Sequence, residues 1–330
     1  MRYRRLGKSD IEVSEIGVGA WAIGGSMWGG ADDAVSRAAL ESAADLGVNF
    51  VDTALAYGDG HSERVVGTFV RARKTAGGRP MVVATKVPPA NWKWPAAHES
   101  ALADVFPRKW IRKCTEDSLR NLGLERIDLQ QLHVWSPRWA AGDEWHAELD
   151  ALVAEGKVRA FGLSINDHEP DTALEVIATG RVAAVQVIYN VFDQSPEDAL
   201  LPACARLGVG VLARVPLDEG SLTGKLTRET RFASGDWRSR YFGGGKLAQA
   251  VEHAEKVRPG LEGAGGSMAE GALRFCLSHP AVSSVIPGIR TPEQATMNAA
   301  ASDRGPLDDG ALGALRAHRW VRNFYGGLHD

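Results

Sequence analysis

Four polar residues follow apolar segments of the chain, at or just beyond the points where those segments end. Asp52 closes the segment VNFVD, Lys86 closes MVVATK and His133 closes IDLQQLH, while Tyr57 comes five residues after Asp52. Singly, each has a structural explanation, such as a turn cap or a rim charge, because ionisable groups near an apolar core are usually structural pairs. Together, on segments that predict neighbouring strands, they indicate one polar site.

These side chains suit proton transfer to a carbonyl oxygen. A tyrosine, with an ordinary pKa of about 10, is a poor acid or base at neutral pH. We expect the ammonium of Lys86, paired with the carboxylate of Asp52, to lower the pKa of Tyr57 toward the working range. A neutral His133 can donate a hydrogen bond that orients the carbonyl. No side chain supplies a hydride, so a reduction here implies a nicotinamide cofactor.

The elements that position these residues alternate along the chain. Short apolar segments that predict strands recur eight times, with amphipathic segments that predict helices between them. The predicted strands are 16–19, 48–52, 81–86, 127–133, 158–164, 183–188, 208–214 and 283–288. Eight such units predict an α/β fold, a single (β/α)8 barrel domain over residues 1–330, whose strand ends bring the polar residues to one mouth.

Two further features belong to this barrel prediction. The segments YRRLG and IEVSE predict a short N-terminal β-hairpin at the bottom of the barrel. The loops 87–108 and 215–246, after the third and seventh strands, are longer than usual and lie on the face where barrels build active sites. An open doubly wound sheet is disfavoured, because the glycines of GVGAWAIGG lack the G-x-G-x-x-G spacing.

Composition argues against nucleic-acid and membrane partners. The chain has 330 residues and a formal net charge of -3, without the basic stripe that binds nucleic acid. No segment approaches the ~18 continuous apolar residues of a membrane span, and no signal-peptide pattern is present, so we expect a cytoplasmic protein. Cys114, Cys204 and Cys276 lie in predicted helices and are expected to be buried, neither bridged nor bound to a metal.

At the four polar residues the sequence resembles the aldo-keto reductase superfamily. VDTALAYGDGHSERVVG is similar to the family's segment with the aspartate and tyrosine, VVATK to its lysine strand and DLQQLHVW to its histidine strand. GLS, VQVIYN, PLDEGSLTGK and VIPGIRTPEQATMN follow the family's cofactor-binding segments in order. The resemblance implies hydride transfer from NADPH to an aldehyde or ketone, with Tyr57 as the general acid/base, Asp52 and Lys86 as its tuning pair and His133 as the substrate-orienting donor.

The resemblance also implies a cofactor site. The residues that it assigns to NADPH are Ser164, Gln186, Asn190, Arg214, Leu217, Gly220, Leu222, Lys225, Arg290, Gln294 and Asn298. The first three would hold the nicotinamide carboxamide, the stretch 217–225 the pyrophosphate and the last three the adenosine end. Arg290, beside a helix that Thr291 caps, suits the 2′-phosphate that distinguishes NADPH from NADH.

Some positions depart from the family pattern or concern the substrate. Arg214 stands where the family often has an aromatic residue against the nicotinamide, and its charge would disfavour the oxidised ring. Asp218 and Glu219 lie near the expected pyrophosphate, so their side chains should point outward or act as a latch. Trp21 and Trp135, which follow the first and fourth strands, are predicted walls of a pocket for a sugar-like or aromatic carbonyl.

Two other functions stay open at this point. One is a sensor or regulatory subunit that is occupied by NADP(H) and turns over little or no substrate, as some members of the superfamily are. The other is a cofactor-free barrel hydrolase or lyase, in which the segment IPGIRTPEQATMN would have no purpose. Nicotinamide binding separates the last from the first two, and turnover with a panel of carbonyl compounds separates the reductase from the sensor.

Overall fold

The computed structural model describes residues 1–25 and 27–326. The strands are β1 (Tyr3–Arg5), β2 (Glu12–Ser14), β3 (Val18–Gly19), β4 (Phe50–Asp52), β5 (Val82–Val87), β6 (Ile127–Leu132), β7 (Val158–Ser164), β8 (Ala184–Ile188), β9 (Gly210–Arg214) and β10 (Val282–Val285). The helices are α1 (Asp33–Asp45), α2 (His61–Thr75), α3 (Leu102–Val105), α4 (Arg108–Leu122), α5 (Glu144–Ala154), α6 (Leu174–Ala178), α7 (Leu200–Leu207), α8 (Arg238–Tyr241), α9 (Lys246–Gly263), α10 (Met268–Ser278), α11 (Pro292–Arg304) and α12 (Asp309–Arg316). Within these described ranges, no helix is both long and apolar enough to cross a membrane.

The strands β3 to β10 form one parallel sheet in which each strand pairs with its neighbours in chain order. Parallel bridges from Ile16 to Val285 and from Gly19 to Gly288 join the last strand to the first. Each of the eight predicted segments overlaps one strand of this sheet. The predicted (β/α)8 barrel is therefore confirmed, and all of its strands end at the same mouth.

The N-terminal hairpin closes the opposite end of the barrel. β1 and β2 pair antiparallel, and Leu6 and Val13 pack with Phe50 inside the barrel. Gly7 has a φ of +58°, and a Cβ added there would lie 2.5 Å from the carbonyl oxygen of Gly208. Only glycine combines this left-handed backbone with so close an approach, so the turn seats tightly against the strand ends. The predicted hairpin is confirmed.

Side chains that point into the barrel change character along each strand. In β4, the inward-facing Phe50 lies near the hairpin, and Asp52, two residues later, lies near the mouth. In β6, Leu129 and Gln131 follow the same order. Since alternate residues of a strand share a face, the barrel has an apolar floor and a polar mouth.

The two long loops predicted after the third and seventh barrel strands are present. The first connects β5 to α4 and contains the short helix α3. The second connects β9 to α9 and contains α8 and a 3-10 turn at Asp218–Thr223. This second loop also pairs with the loop after β3, because Trp28 and Asp236 form an antiparallel bridge and the Trp237 amide donates to the Met27 carbonyl at 2.9 Å.

Candidate active site

The ammonium of Lys86 joins the predicted catalytic residues at the mouth of the barrel. Its Nζ lies 2.6 Å from Asp52 Oδ2, 2.9 Å from the carbonyl oxygen of Thr53 and 3.2 Å from Tyr57 Oη. The ring centroids of Tyr57 and His133 are 5.7 Å apart, and the ring planes meet at 73°. Strand ends of β4, β5 and β6 thus bring the four side chains into one cluster, as a parallel barrel requires.

Two glutamines hold the carboxylate of Asp52 in place. Its Oδ1 accepts hydrogen bonds from Gln131 Nε2 at 3.0 Å and from Gln186 Nε2 at 2.9 Å. Gln186 Nε2 also lies 3.2 Å from Gln131 Oε1. The sequence prediction placed Gln186 on the cofactor and omitted Gln131. Gln131 could have been found from the sequence, because it lies two residues before His133 and alternate residues on a strand share a face.

The pKa of Tyr57 is raised above its ordinary value, so the lower pKa predicted from the sequence is wrong. Burial is the largest cause and opposes the phenolate, while the nearby charge of Lys86 favours it. Asp52, 2.6 Å from that ammonium, neutralises much of its charge and raises the pKa further. Tyr57 is therefore protonated at neutral pH and available as a proton donor.

In the same site Lys86 is positively charged and His133 is neutral. Burial opposes the charge of Lys86, but Asp52 and Tyr57 outweigh it and hold the pKa of the ammonium above its usual value. Burial, with the charges of Lys86 and Arg214, lowers the pKa of His133 well below its usual range. His133 is thus a neutral imidazole, and its buried Nδ1 has no hydrogen-bond partner within the described residues.

Tryptophans line the mouth around the cluster, though not all of those predicted. Trp21 lies beside Tyr57, with ring centroids 6.3 Å apart, and is half-buried. Trp94, from the loop after β5, packs edge-on against His133 at 5.7 Å. Trp92 packs against Trp94 at 5.7 Å and is 54% exposed. Trp94 was not singled out from the sequence, because only the path of this loop brings it back to His133.

Trp135 does not line the site, contrary to the prediction. Its side chain is fully buried and packs edge-on against Trp139 and Trp145, at 5.6 Å and 5.5 Å. Its indole Nε1 donates to the carbonyl oxygen of Thr172 at 3.1 Å. Beyond the end of β6 at Leu132 the chain no longer alternates as a strand, and Trp135 packs in the hydrophobic core with Trp139 and Trp145 instead of lining the mouth.

Arg214 lies at the mouth end of β9 and is held by the loop after β7. Its Nη2 is 2.6 Å from Asp167 Oδ1 and 3.1 Å from the carbonyl oxygen of Ile165. Burial opposes its charge, but Asp167 and neighbouring groups raise the pKa of the guanidinium. Its positive charge favours the phenolate of Tyr57 and contributes to the lowered pKa of His133.

Two residues predicted to hold the carboxamide, Ser164 and Asn190, lie in different surroundings from each other. Ser164 ends β7 beside Gln186 and is buried at the mouth. Asn190 is fully buried, and its Oδ1 accepts from the amides of Phe192 and Asp193, both at 2.9 Å. Its Nδ2 donates to the Val215 carbonyl at 3.0 Å. Asn190 therefore holds two loops together, and its predicted contact with the nicotinamide carboxamide stays a prediction.

The loop after β9, predicted to wrap the pyrophosphate, forms a tight turn. The amides of Gly220 and Leu222 both donate to the carbonyl oxygen of Leu217, at 2.9 Å and 3.1 Å. Leu222 is also fully buried. In this structure those two amides are used within the turn, and the wrapping of the pyrophosphate by the backbone around Leu217, Gly220 and Leu222 stays a prediction. Lys225, just beyond the turn, is exposed.

The segment predicted to bind the adenosine end surrounds the start of α11. Thr291 caps this helix, as expected, by accepting from the Gln294 amide at 3.3 Å, and Gln294 Oε1 accepts from the Arg290 amide at 2.7 Å. Arg290 is exposed. Asn298 is 1% exposed, and neither its Nδ2 nor its Oδ1 has a hydrogen-bond partner among the described residues. Buried amides are rarely unpaired, so this one fits a ligand with donors and acceptors, such as an adenine nucleotide.

Comparisons with known proteins agree with this geometry. The model of the Aldo/keto reductase family matches residues 15–319. The chain is 32% identical over 303 residues to Aldo-keto reductase YhdN of Bacillus subtilis (strain 168), covering 89% of this chain and 86% of that protein. It is 31% identical over 308 residues to the NADH-specific methylglyoxal reductase of Escherichia coli (strain K12), covering 90% and 92%. The solved glycerol dehydrogenase AKR11B4 of Gluconobacter oxydans superposes with a TM-score of 0.77 at 32% identity, covering 96% and 94%.

The family match covers nearly the whole chain, and the fold and the cluster at the barrel mouth are in keeping with it. Members of this family are oxidoreductases that bind nicotinamide cofactors and act on small carbonyl compounds. The chain therefore belongs to the aldo/keto reductase family.

Proposed function

We propose that this protein catalyses the NADPH-dependent reduction of an aldehyde or ketone to the alcohol, with Tyr57 as the proton donor. The observation that carries the proposal is the position of Lys86 Nζ, 2.6 Å from Asp52 and 3.2 Å from Tyr57 Oη. Burial keeps Tyr57 protonated before the reaction. Once its proton passes to the substrate oxygen, the phenolate that remains is stabilised by the adjacent ammonium, which favours the transition state.

His133 orients the substrate in this proposal. It is neutral, because burial and two nearby cations disfavour its protonation. A neutral imidazole can donate one hydrogen bond to the carbonyl oxygen without competing with Tyr57 as an acid. Asp52, held by Gln131 and Gln186, keeps the ammonium of Lys86 beside the phenol.

The residues that would hold the cofactor follow the barrel mouth. Ser164 and Arg214 are near the cluster and would contact the nicotinamide end, while Lys225, with its exposed ammonium, would meet the pyrophosphate. Gln294 and the unpaired Asn298 would hold the adenosine end. When bound, the nicotinamide supplies the hydride that no side chain can provide.

NADPH is proposed over NADH because of Arg290. Arg290 is exposed and directly precedes Thr291, which caps the N-terminus of α11. A guanidinium together with a helix N-terminus suits a phosphate dianion, and only NADPH carries a phosphate on this ribose. The NADH specificity of one relative shows that this choice varies within the family.

The substrate is proposed to be a sugar-like or aromatic carbonyl. Trp21 packs near Tyr57 and Trp94 packs against His133, and indoles of this kind cover flat faces of sugars and aromatic rings.

Two further predictions from the sequence stay predictions: that residues 1–330 form a single domain, and that the protein is cytoplasmic.

The test combines turnover with cofactor binding. NADPH oxidation is followed with aldehydes, α-dicarbonyls, simple ketones and keto-sugars, and NADPH binding is followed by tryptophan fluorescence. We expect turnover on at least one class, and we expect Tyr57→Phe to lower kcat by ~100-fold or more while NADPH affinity stays nearly unchanged. Tyr3→Phe, which removes a tyrosine hydroxyl at the hairpin, is the control and should retain wild-type kcat.

Two outcomes would contradict the proposal in different ways. If Tyr57→Phe kept most of its kcat, the assignment of the proton donor would be wrong. If NADPH bound tightly and no carbonyl class were turned over, the protein would be a cofactor-occupied sensor or regulatory subunit, the alternative raised from the sequence.

A further inference from the structure

The last described residues of the chain, 320–326, lie against the loop that follows β9. Trp320 stacks on His253 of α9, with ring centroids 3.6 Å apart, and its amide donates to the Phe192 carbonyl at 2.9 Å. Lys246 Nζ, at the start of α9, donates to the Phe324 carbonyl at 3.1 Å. Contacts on both sides of the segment therefore fix its path across the loop.

Within this segment, Arg322 forms a buried ion pair with the loop. Arg322 Nη2 lies 2.5 Å from Asp218 Oδ2, and the two side chains are only 9% and 3% exposed. The guanidinium also lies 4.2 Å from the ring centroid of Trp320. If either side chain left this buried ion pair, the other would remain as an uncompensated buried charge, which is strongly destabilising. Each side chain therefore restrains the other.

Tyr325 makes the second contact, with the next residue of the loop. Its Oη lies 2.5 Å from Glu219 Oε1 and donates a hydrogen bond to it. Its ring is stacked with that of Trp237, at 5.8 Å and 11° between the planes, and also packs on Tyr241 at 4.8 Å. The two carboxylates that the sequence places next to the expected pyrophosphate are thus both turned toward the C-terminal segment.

The backbone of the loop needs such restraints. Asp218 and Glu219 have φ values of +49° and +54°, and Val215 has a φ of +54°. Side-chain-bearing residues rarely adopt this left-handed conformation, and when they do the surrounding structure must hold them there. Arg322 and Tyr325 contact the two consecutive residues concerned.

We propose that Arg322 and Tyr325 are positioning residues that hold the loop 215–223 in its closed form and thereby slow the release of the dinucleotide. The proposal rests on the proposed function, in which this stretch of the chain lies along the cofactor. It assigns Asp218 and Glu219 the role of a latch whose other half is the C-terminal segment. Neither carboxylate then faces the phosphates, which removes a repulsion that the sequence alone suggested.

The first measurement is made on the free protein, without cofactor. Hydrogen exchange of the amides in 215–224 is compared in the wild type, Arg322→Leu and Tyr325→Phe. Tyr325→Phe keeps the ring packing and removes only the hydroxyl. We expect faster exchange in this stretch for both variants and unchanged exchange in the barrel strands. Arg319→Leu, which removes an ion pair with the exposed Asp198 near the start of the same segment, is the matched control and should leave the loop unchanged.

The second measurement is the rate of NADPH release, followed by stopped-flow tryptophan fluorescence. We expect Arg322→Leu to raise koff by ~10-fold and Tyr325→Phe by ~3-fold, with a smaller change in kon, because variants of one binding interface differ mainly in koff. Arg322→Lys, which keeps the charge, should recover part of the effect. Since Tyr325→Phe acts through Glu219, it should add nothing in a Glu219→Leu background.

The outcomes separate this proposal from the proposed function. Unchanged koff and unchanged loop exchange in Arg322→Leu and Tyr325→Phe, with normal NADPH binding, would overturn the latch and leave the reductase proposal standing. A wild-type protein that binds no nicotinamide dinucleotide would overturn the proposed function, and with it the role in cofactor release.

Discussion

Glu219 offers a test of the loop energetics that needs neither cofactor nor substrate. Its carboxyl is half-buried beneath the C-terminal segment, where Tyr325 donates to it, and Asp218 is its neighbour in the chain. The pKa of Glu219 is raised from 4.5 to about 7, chiefly by burial; the hydrogen bond from Tyr325 lowers it and the neighbouring Asp218 raises it. The folded protein therefore keeps a proton that the unfolded chain releases at lower pH.

The sign and size of the effect follow from proton linkage. Between about pH 4.5 and 7 the folded state binds more protons at this site than the unfolded state, so the free energy of unfolding falls as pH rises through that window. A pKa raised from 4.5 to about 7 corresponds to ~3 kcal/mol at ~1.4 kcal/mol for each tenfold change in proton affinity. Because Glu219 is only half-buried, solvent screening reduces this, and we expect ~2 kcal/mol.

The perturbation is Glu219→Gln, which keeps the shape of the protonated side chain and removes its titration. Urea unfolding of the variant and the wild type is followed by tryptophan fluorescence from about pH 5 to about pH 8. We expect a small difference at the acid end and a variant more stable by ~2 kcal/mol at pH 8. Subtracting the wild type at each pH removes the contributions of the other titrating groups.

Glu229→Gln, at an exposed glutamate of the same loop, is the control. We expect its stability difference from the wild type to be small and independent of pH. If the Glu219→Gln difference were equally independent of pH, Glu219 would not titrate near neutrality in the folded protein, and the raised pKa of this half-buried carboxyl would be refuted.

Three further predictions concern the site itself. Asn298→Leu should weaken NADPH binding yet raise the stability of the free protein by ~1 kcal/mol, since it removes an unpaired buried amide; a less stable variant would contradict this. Arg290→Ala should weaken NADPH by ~10-fold and leave NADH unchanged in parallel fluorescence titrations, whereas equal losses would argue against a 2′-phosphate contact. Trp94→Ala should change KM for carbonyl substrates with little loss of stability. Trp135→Ala, in contrast, should lower the free energy of unfolding by ~3 kcal/mol or more. The reverse pattern would mean that Trp135 lines the pocket.

Much of this architecture is determined locally and so can be predicted from the sequence. Each barrel strand is a short apolar segment, and the alternation of strand and helix leaves few ways to close a parallel sheet. Since parallel strands all end at one mouth, the positions of Asp52, Lys86 and His133 at the ends of their segments were enough to expect the cluster. Thr291 as a helix cap is equally local, because capping depends on a few neighbouring residues.

What depends on distant parts of the chain was decided only by the tertiary structure. Trp135 lies in the core and Trp94 reaches His133, because the path of one loop and the packing of one helix determine which indole comes to the site. The direction of the Tyr57 pKa depends on how burial balances against a neutralised ammonium, and a sequence contains neither quantity. The latch joins Asp218 to Arg322 across 104 positions. No local pattern links residues so far apart, since their meeting is a consequence of the closed barrel and of the segment that folds back over it.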